Sequence, residues 1–170
     1  MGSVFKEQIV KRQSTIKDTL LRVGLVVAAA LISIIAITSG LDFIGPLIAV
    51  ASMFGAWFLM SFLKVEYEYA FTDGELDIDV IYNRSRRKRV FSARVNDFEI
   101  MAHVDDKMHK GSFDGAQEVR DYSSGVTTDN TYAFILNHNS KRVKVIIEPN
   151  EMMLKAIASV LTRRKLHIKM

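Results

Sequence analysis

Between Val23 and Leu63 the chain carries one charged side chain, Asp42, and no lysine or arginine. A bilayer hydrocarbon core roughly 30 Å thick needs about 20 helical residues at 1.5 Å each. Val23–Ser39 supplies 17 residues and Phe43–Leu63 supplies 21, separated only by Gly40-Leu41-Asp42. Leu20 and Leu21 lengthen the first segment if Arg22 snorkels to the headgroups. So tight a turn predicts an antiparallel transmembrane hairpin, with spans over 23–39 and 43–63. Neither segment has a polar face to turn toward water, which argues against two buried helices of a soluble protein.

The basic residues set the orientation. Lys6, Lys11, Arg12, Lys17 and Arg22 precede the first span, Lys64 follows the second, and the turn between has none. The positive-inside rule then predicts a two-span, multi-pass protein of the cell membrane with both termini cytoplasmic and Asp42 outside. Residues 1–22 read as a cytoplasmic basic segment. A cleaved signal peptide fits poorly, because its n-region would be about 22 residues long and Ala36-Ile37-Thr38 is a weak cleavage site. Ionisable side chains inside spans mark ion and proton pathways, and these spans have none. Small residues recur every four positions: Gly24/Ala28, Ala29/Ser33 and Ala36/Gly40, then Gly45/Ala49 and Ala51/Gly55. This spacing permits close helix contact, either between the two spans or against a partner or second copy.

After Lys64 the hydrophobic period changes to two. Val65, Tyr67, Tyr69 and Phe71 alternate with Glu66, Glu68 and Ala70; Thr72-Asp73-Gly74 signals a hairpin turn; Leu76, Ile78 and Val80 alternate with Glu75, Asp77 and Asp79. A polar turn at 83–86 leads to strands near 89–95 and 98–104. Residues 105–130 read mostly as loop, with a short strand or helix around 117–122. Strands over 131–136 and 142–147 form a further hairpin. A C-terminal helix over about 150–164 closes the chain, entered through Pro149 and Asn150, with Met153, Leu154, Ile157, Val160 and Leu161 on one face. Arg163, Arg164 and Lys165 complement its dipole. With no cysteine in the chain, disulfide scaffolds and thiolate zinc sites are excluded. Residues 64–170 thus form a cytoplasmic α+β domain, most of it strands.

The run Val65-Glu66-Tyr67-Glu68-Tyr69 behind a two-span hairpin, followed by Phe71-Thr72-Asp73-Gly74-Glu75-Leu76-Asp77-Ile78, resembles the membrane-anchored bacterial pleckstrin-homology-like (PH-like) proteins. Arg87-Lys88-Arg89 and Ile147-Glu148-Pro149-Asn150-Glu151, with Met153-Leu154, sharpen the resemblance to one family of small bacterial membrane proteins defined as a domain of unknown function. The resemblance implies a PH-like barrel of about seven strands capped by the C-terminal helix. It carries over no catalytic residue.

Arg84, Arg86, Arg87, Lys88 and Arg89 are the most conspicuous charged feature. Each is worth about 1 kcal/mol against anionic lipid when held near the surface. Residues 66–79 carry six acidic side chains and no basic one, so hairpin pairing also predicts a ladder of Asp77 and Asp79 opposite Arg87 and Arg89. Residues 64–170 hold 18 basic and 16 acidic residues, too even a balance for a nucleic-acid surface. His103, Asp105, Asp106 and His109 have metal-ligand chemistry but match no known spacing. Phosphate loops, nucleophile elbows and zinc-protease helices are absent from the sequence. The expected function is a non-catalytic module, without cofactor, presented at the membrane surface to a protein partner or a second copy. Anionic-lipid sensing through 84–89 is the alternative, and a metal-dependent hydrolase using His103, Asp105 and His109 a second.

Overall fold

The structure, a computed structural model, describes residues 5–161 and 166–167 and divides the chain into two compact units. One comprises Ser14–Val65 with Tyr82–Ser85. The other comprises the chain up to Gln13, Glu66–Ile81 and the residues from Arg86 onward.

The first unit is a helical hairpin of α1 (Ile16–Thr38) and α2 (Ile44–Ser61). Both are long and apolar enough to cross a membrane. Helix α1 starts seven residues before the charge-free run because Thr15 caps it: its Oγ accepts from the Asp18 N–H at 3.3 Å, and Asp18 accepts from the Thr15 N–H at 2.9 Å. The connecting turn uses positive φ at Gly40 and Asp42 (72° and 38°). Ala29 and Ala36 of α1 are buried with Gly45, Ala49 and Ala56 of α2. A Cβ at Gly45 would collide with the Ala36 carbonyl. The Ser33 and Ser52 hydroxyls meet across the interface at 3.0 Å, and each lies within hydrogen-bond distance of a carbonyl of its own helix, Ala29 at 2.7 Å and Ala49 at 2.8 Å, so one hydroxyl donates to a carbonyl and accepts from the other. Part of the small-residue pattern is thereby explained by the two helices packing on each other; a Cβ at Gly24 or Gly55 would meet no atom of the other helix within 4 Å. Gly45→Leu should force the helices apart. In a chain without native cysteine, a Cys pair at Ser33 and Ser52 reads this directly, and its disulfide yield should fall several-fold in the Gly45→Leu background. An unchanged yield would show that Gly45 does not set the approach.

The second unit holds two sheets. Strands β1 (Phe5–Lys11), β2 (Val65–Thr72), β3 (Glu75–Tyr82) and β4 (Arg86–Arg94) form the first, in order β1-β2-β3-β4. The second has β5 (Phe98–His103), β6 (Glu118–Asp121), β7 (Tyr132–His138), β8 (Lys141–Ile147) and the two-residue β9 (Leu166–His167), in order β6-β8-β7-β5-β9. The β2–β3 turn takes positive φ at both central residues, Asp73 (48°) and Gly74 (91°), the twist that two-residue hairpins require. Helix α3 (Glu151–Val160) is capped by Asn150, whose side chain accepts from the Met153 N–H at 2.8 Å. It ends before the expected residue 164 because Leu161 turns into extended backbone and is itself buried. Arg163, Arg164 and Lys165 lie outside the described residues.

Two expectations change. Residues 5–11 are a strand, paired antiparallel with β2 from Phe5↔Thr72 to Lys11↔Glu66, where the sequence suggested only a basic lead-in. The sheets are also not closed into a barrel. Among the described residues, main-chain pairing stops at the edges β1 and β4 of one sheet and β6 and β9 of the other. Where β1 meets the end of β8, the Gln8 side-chain amide stands in for a ladder, donating to the Glu148 carbonyl at 2.9 Å and accepting from the Asn150 N–H at 2.7 Å.

The core lies between the sheets and α3. Tyr69, Phe71, Leu76, Ile78 and Phe91 of the first sheet meet Phe98, Met101, Phe134, Val143, Val145 and Ile147 of the second, with Met153 and Ile157 of α3. The other face of the second sheet carries Ala102, Ala133 and Ile135, packed with Phe113. The 105–130 segment is therefore fastened down. Phe113 lies in a 3-10 turn (Lys110–Phe113), and Arg142 holds the Ser112 and Asp114 carbonyls at 3.1 and 3.0 Å. Around 117–122 the chain forms β6, parallel to β8.

Candidate functional site

The β3–β4 hairpin carries the charged residues singled out by sequence. Its tip takes positive φ at Asn83 (48°) and Arg84 (56°), and the Ser85 N–H closes on the Tyr82 carbonyl at 3.1 Å. Asn83 also donates its N–H to the Lys64 carbonyl at 3.0 Å, so the tip is held at the end of α2, within the helical unit. Arg84, Arg86, Arg87, Lys88 and Arg89 are all exposed. The expected ladder forms with different partners. Arg89 takes both aspartates, Asp77 at 2.8 Å and Asp79 at 2.9 Å, while Arg87 reaches past them to Glu68 on β2 at 2.6 Å. Strand alternation turns Arg86 and Lys88 to the opposite face. Two of the five basic side chains, Arg87 and Arg89, are committed to carboxylates. Because the Arg89 side chain is about half exposed (54%), water screens its pairs, and Arg89→Ala should cost under about 1 kcal/mol of stability. Chemical denaturation of the two proteins side by side checks this; a loss of several kcal/mol would mean the pairs are far less screened than their exposure indicates.

Glu68 differs from its neighbours, with its side chain only 3% exposed. One oxygen accepts from Arg87 at 2.8 Å; the other lies close to the same nitrogen yet accepts no hydrogen bond. Burial, then a hydrogen bond to Glu7, push its pKa up to about 7 against the pull of Arg87.

On the core side, a polar network fixes the corner between the sheets. The Tyr69 hydroxyl donates to the Tyr122 carbonyl and accepts from the Glu148 N–H at 3.2 Å. Burial raises its pKa above the ordinary tyrosine range, so it stays a donor. The Glu148 carboxylate accepts from the Ser124 N–H (3.1 Å) and the Thr128 hydroxyl (2.8 Å), which anchors the 124–130 loop. A polar hollow of about 270 Å³ runs along β1 here, lined by Lys11, Gln13, Ser124, Asn130 and Glu148 among others. Tyr69→Phe should cost about 1–3 kcal/mol by leaving buried backbone groups unpaired. A melt of the variant unchanged from wild type would show that water replaces the hydroxyl.

The four residues with metal-ligand chemistry do not converge. His103 is buried, and its ring is fully used: Nδ1 accepts from the Asp105 N–H at 3.2 Å, so Nε2 carries the proton and donates to the Thr128 carbonyl at 3.0 Å. His109 instead pairs with Asp106 at 2.8 Å, and that hydrogen bond holds the Asp106 carboxyl below its usual range. Among the described residues, no three His, Asp or Glu side chains form a metal-sized group. The hydrolase arrangement of His103, Asp105 and His109 is not assembled.

Gln8, Tyr69, Glu148 and Thr128 were not legible as a set, because four separated segments bring them together. Comparison with the curated proteins and with the solved structures gives no match. A family model does match, over residues 2–167, and its description accords with two strand layers and a C-terminal helix. The chain belongs to the family described as the bacterial PH-like domain (DUF6106).

Proposed function

We infer that the protein is a non-catalytic interaction module held at the cytoplasmic face of the cell membrane by α1 and α2. PH-like domains typically bind lipids or proteins, which supports the module class. The observation that carries the membrane reading is the outward apolar surface of the hairpin. Leu31, Ile35, Leu47, Phe54 and Trp57 are each more than half exposed, an arrangement stable in lipid and not in water. The basic residues flanking the spans then put both termini inside. On this reading the sheet domain offers a partner its open edges, where strand addition supplies main-chain hydrogen bonds. Crosslinking in intact membranes followed by mild detergent extraction tests it: a defined adduct on the sheet domain is the expected result. A chain recovered strictly alone would overturn the reading.

Anionic lipid is a second reading, and one observation favours it. The hairpin tip bearing Arg84 is bonded to Lys64 at the end of α2, which sets a guanidinium at headgroup level if α2 spans. The full chain in nanodiscs containing phosphatidylglycerol should protect residues 82–89 from hydrogen exchange more than in phosphatidylcholine discs, and added salt should remove the difference. Equal protection in both lipids would exclude it.

A further inference from the structure

The first sheet ends on one side at β4, and the start of that strand is an open, basic edge. Among the described residues no strand pairs with β4 on the side away from β3, and Arg86, Arg87, Lys88 and Arg89 are all exposed. From Val90 onward the strand is covered: the Tyr122 hydroxyl donates to the Val90 carbonyl at 3.4 Å, and its ring meets Phe91 at 6.1 Å. The other edges are poorer receivers. Along β1 the Gln8 amide is already bonded to Glu148 and Asn150, and the Gln13 N–H to the Ser124 carbonyl. Strands β6 and β9 have only four and two residues. The two faces of the β4 edge also differ in charge. On one, Arg87 and Arg89 meet Glu68, Asp77 and Asp79, three carboxylates to two guanidiniums. On the other, Arg86 and Lys88 stand two residues apart, and among the described residues neither is paired with a carboxylate.

We propose that the open edge at Arg86–Arg89 receives an extended acidic segment of a partner protein by strand addition, with acidic side chains two residues apart opposite Arg86 and Lys88. This rests on the reading that the sheet edges receive a partner, and it names the edge and the partner's chemistry. An added strand alternates its side chains in step with β4. One of its faces answers the two unpaired cations. The residue between them falls on the matched face, where a further carboxylate would meet an excess of negative charge. The segment therefore reads acidic, neutral, acidic. A second copy of this chain fits badly. Pairing β4 with its own copy sets two basic runs side by side, and the acidic alternation of Glu75, Asp77 and Asp79 lies in β3, already paired on both sides. Anionic headgroups would neutralise the same cations but leave the main-chain edge unpaired.

A short synthetic peptide alternating threonine and glutamate, added to the full chain in neutral phosphatidylcholine nanodiscs, tests this by fluorescence anisotropy and hydrogen exchange. The peptide should bind and should protect residues 86–90 while the exchange of β1 and β6 stays unchanged. Arg86→Glu with Lys88→Glu, both at exposed positions, should weaken binding by about tenfold or more, with β7 exchanging as in wild type. The same peptide with methylated main-chain nitrogens on its pairing edge should also bind far more weakly, and this control keeps the test intact if the double variant misfolds. Absence of binding to the wild type overturns the proposal. So does full affinity in a folded double variant, or full affinity of the methylated peptide, which is what charge attraction alone would give. Protection of 86–90 that appears with phosphatidylglycerol and not with the peptide assigns the edge to lipid and overturns it too. Protection at β1 or β6 instead overturns the choice of edge and leaves the wider edge-binding reading standing; that reading falls separately, if crosslinking in intact membranes recovers the chain alone.

Discussion

Phe134→Ala is expected to leave the sheet domain largely unfolded while the helical hairpin persists. Phe134 is fully buried. Its ring stacks on Phe98 at 4.0 Å with an interplanar angle of 11° and meets Phe91 at 6.0 Å. It therefore joins β7 to β5 within the second sheet and to β4 of the first. Truncating a buried phenylalanine costs about 3–5 kcal/mol through lost transfer energy and the cavity left behind. Domains of this kind hold only about 5–15 kcal/mol in total. The helices draw on none of that core: their contact is made by Ala29, Ala36, Gly45, Ala49 and Ala56 with the Ser33–Ser52 pair. Limited proteolysis of the variant in micelles should degrade residues 66–161 and spare a fragment containing α1 and α2. Phe134→Leu, which keeps most of the volume, should remain protected. Wild-type resistance in the alanine variant would mean that the two sheets do not depend on this contact.

Legibility in the sequence follows how local the deciding interaction is. The β2–β3 hairpin could be read directly, because alternation and Asp73-Gly74 specify it within 18 residues. Both apolar helices could be read from composition, although the start of α1 depended on the Thr15–Asp18 cap rather than on hydropathy. Strand β1 could not. Phe5, Glu7, Ile9 and Lys11 share one face, mixing apolar and charged side chains, and its partner lies some sixty residues further on. The ladder of opposite charge was legible in kind but not in its partners, since long guanidinium side chains choose among several carboxylates within reach. Arg87 went to Glu68 because that is the buried one. Residue type at 103–109 offered metal-ligand chemistry, but the placement does not gather it: His103 points into a loop whose backbone uses both of its nitrogens. A barrel was implied by family resemblance, whereas closure depends on edge hydrogen bonds that alternation cannot reveal.

Raising the pH from 5 to 8 is expected to destabilise the sheet domain, against the usual behaviour of a carboxylate beside an arginine. In the unfolded chain Glu68 loses its proton near 4.5; in the folded chain it keeps it up to about 7. Between those values the folded state binds more protons than the unfolded one, so the free energy of unfolding falls as pH rises, then levels off above 7. The span of the shift corresponds to about 3 kcal/mol. Arg87 would reverse the sign if its attraction dominated. It does not, because its side chain is 57% exposed against 3% for Glu68, so water weakens the attraction while burial disfavours the charged carboxylate. Glu7 and Asp79 add two like charges on the same side. Protection of the slowest-exchanging amides in β7 and β8, corrected for intrinsic rates, reports this global stability. It should decline between pH 5 and 7 in the wild type and stay flat in Glu68→Gln, which has no proton to lose and should be the more stable protein at pH 8. Stability that instead rises over that interval would mean the arginine dominates and that Glu68 is ionised in the folded chain at neutral pH.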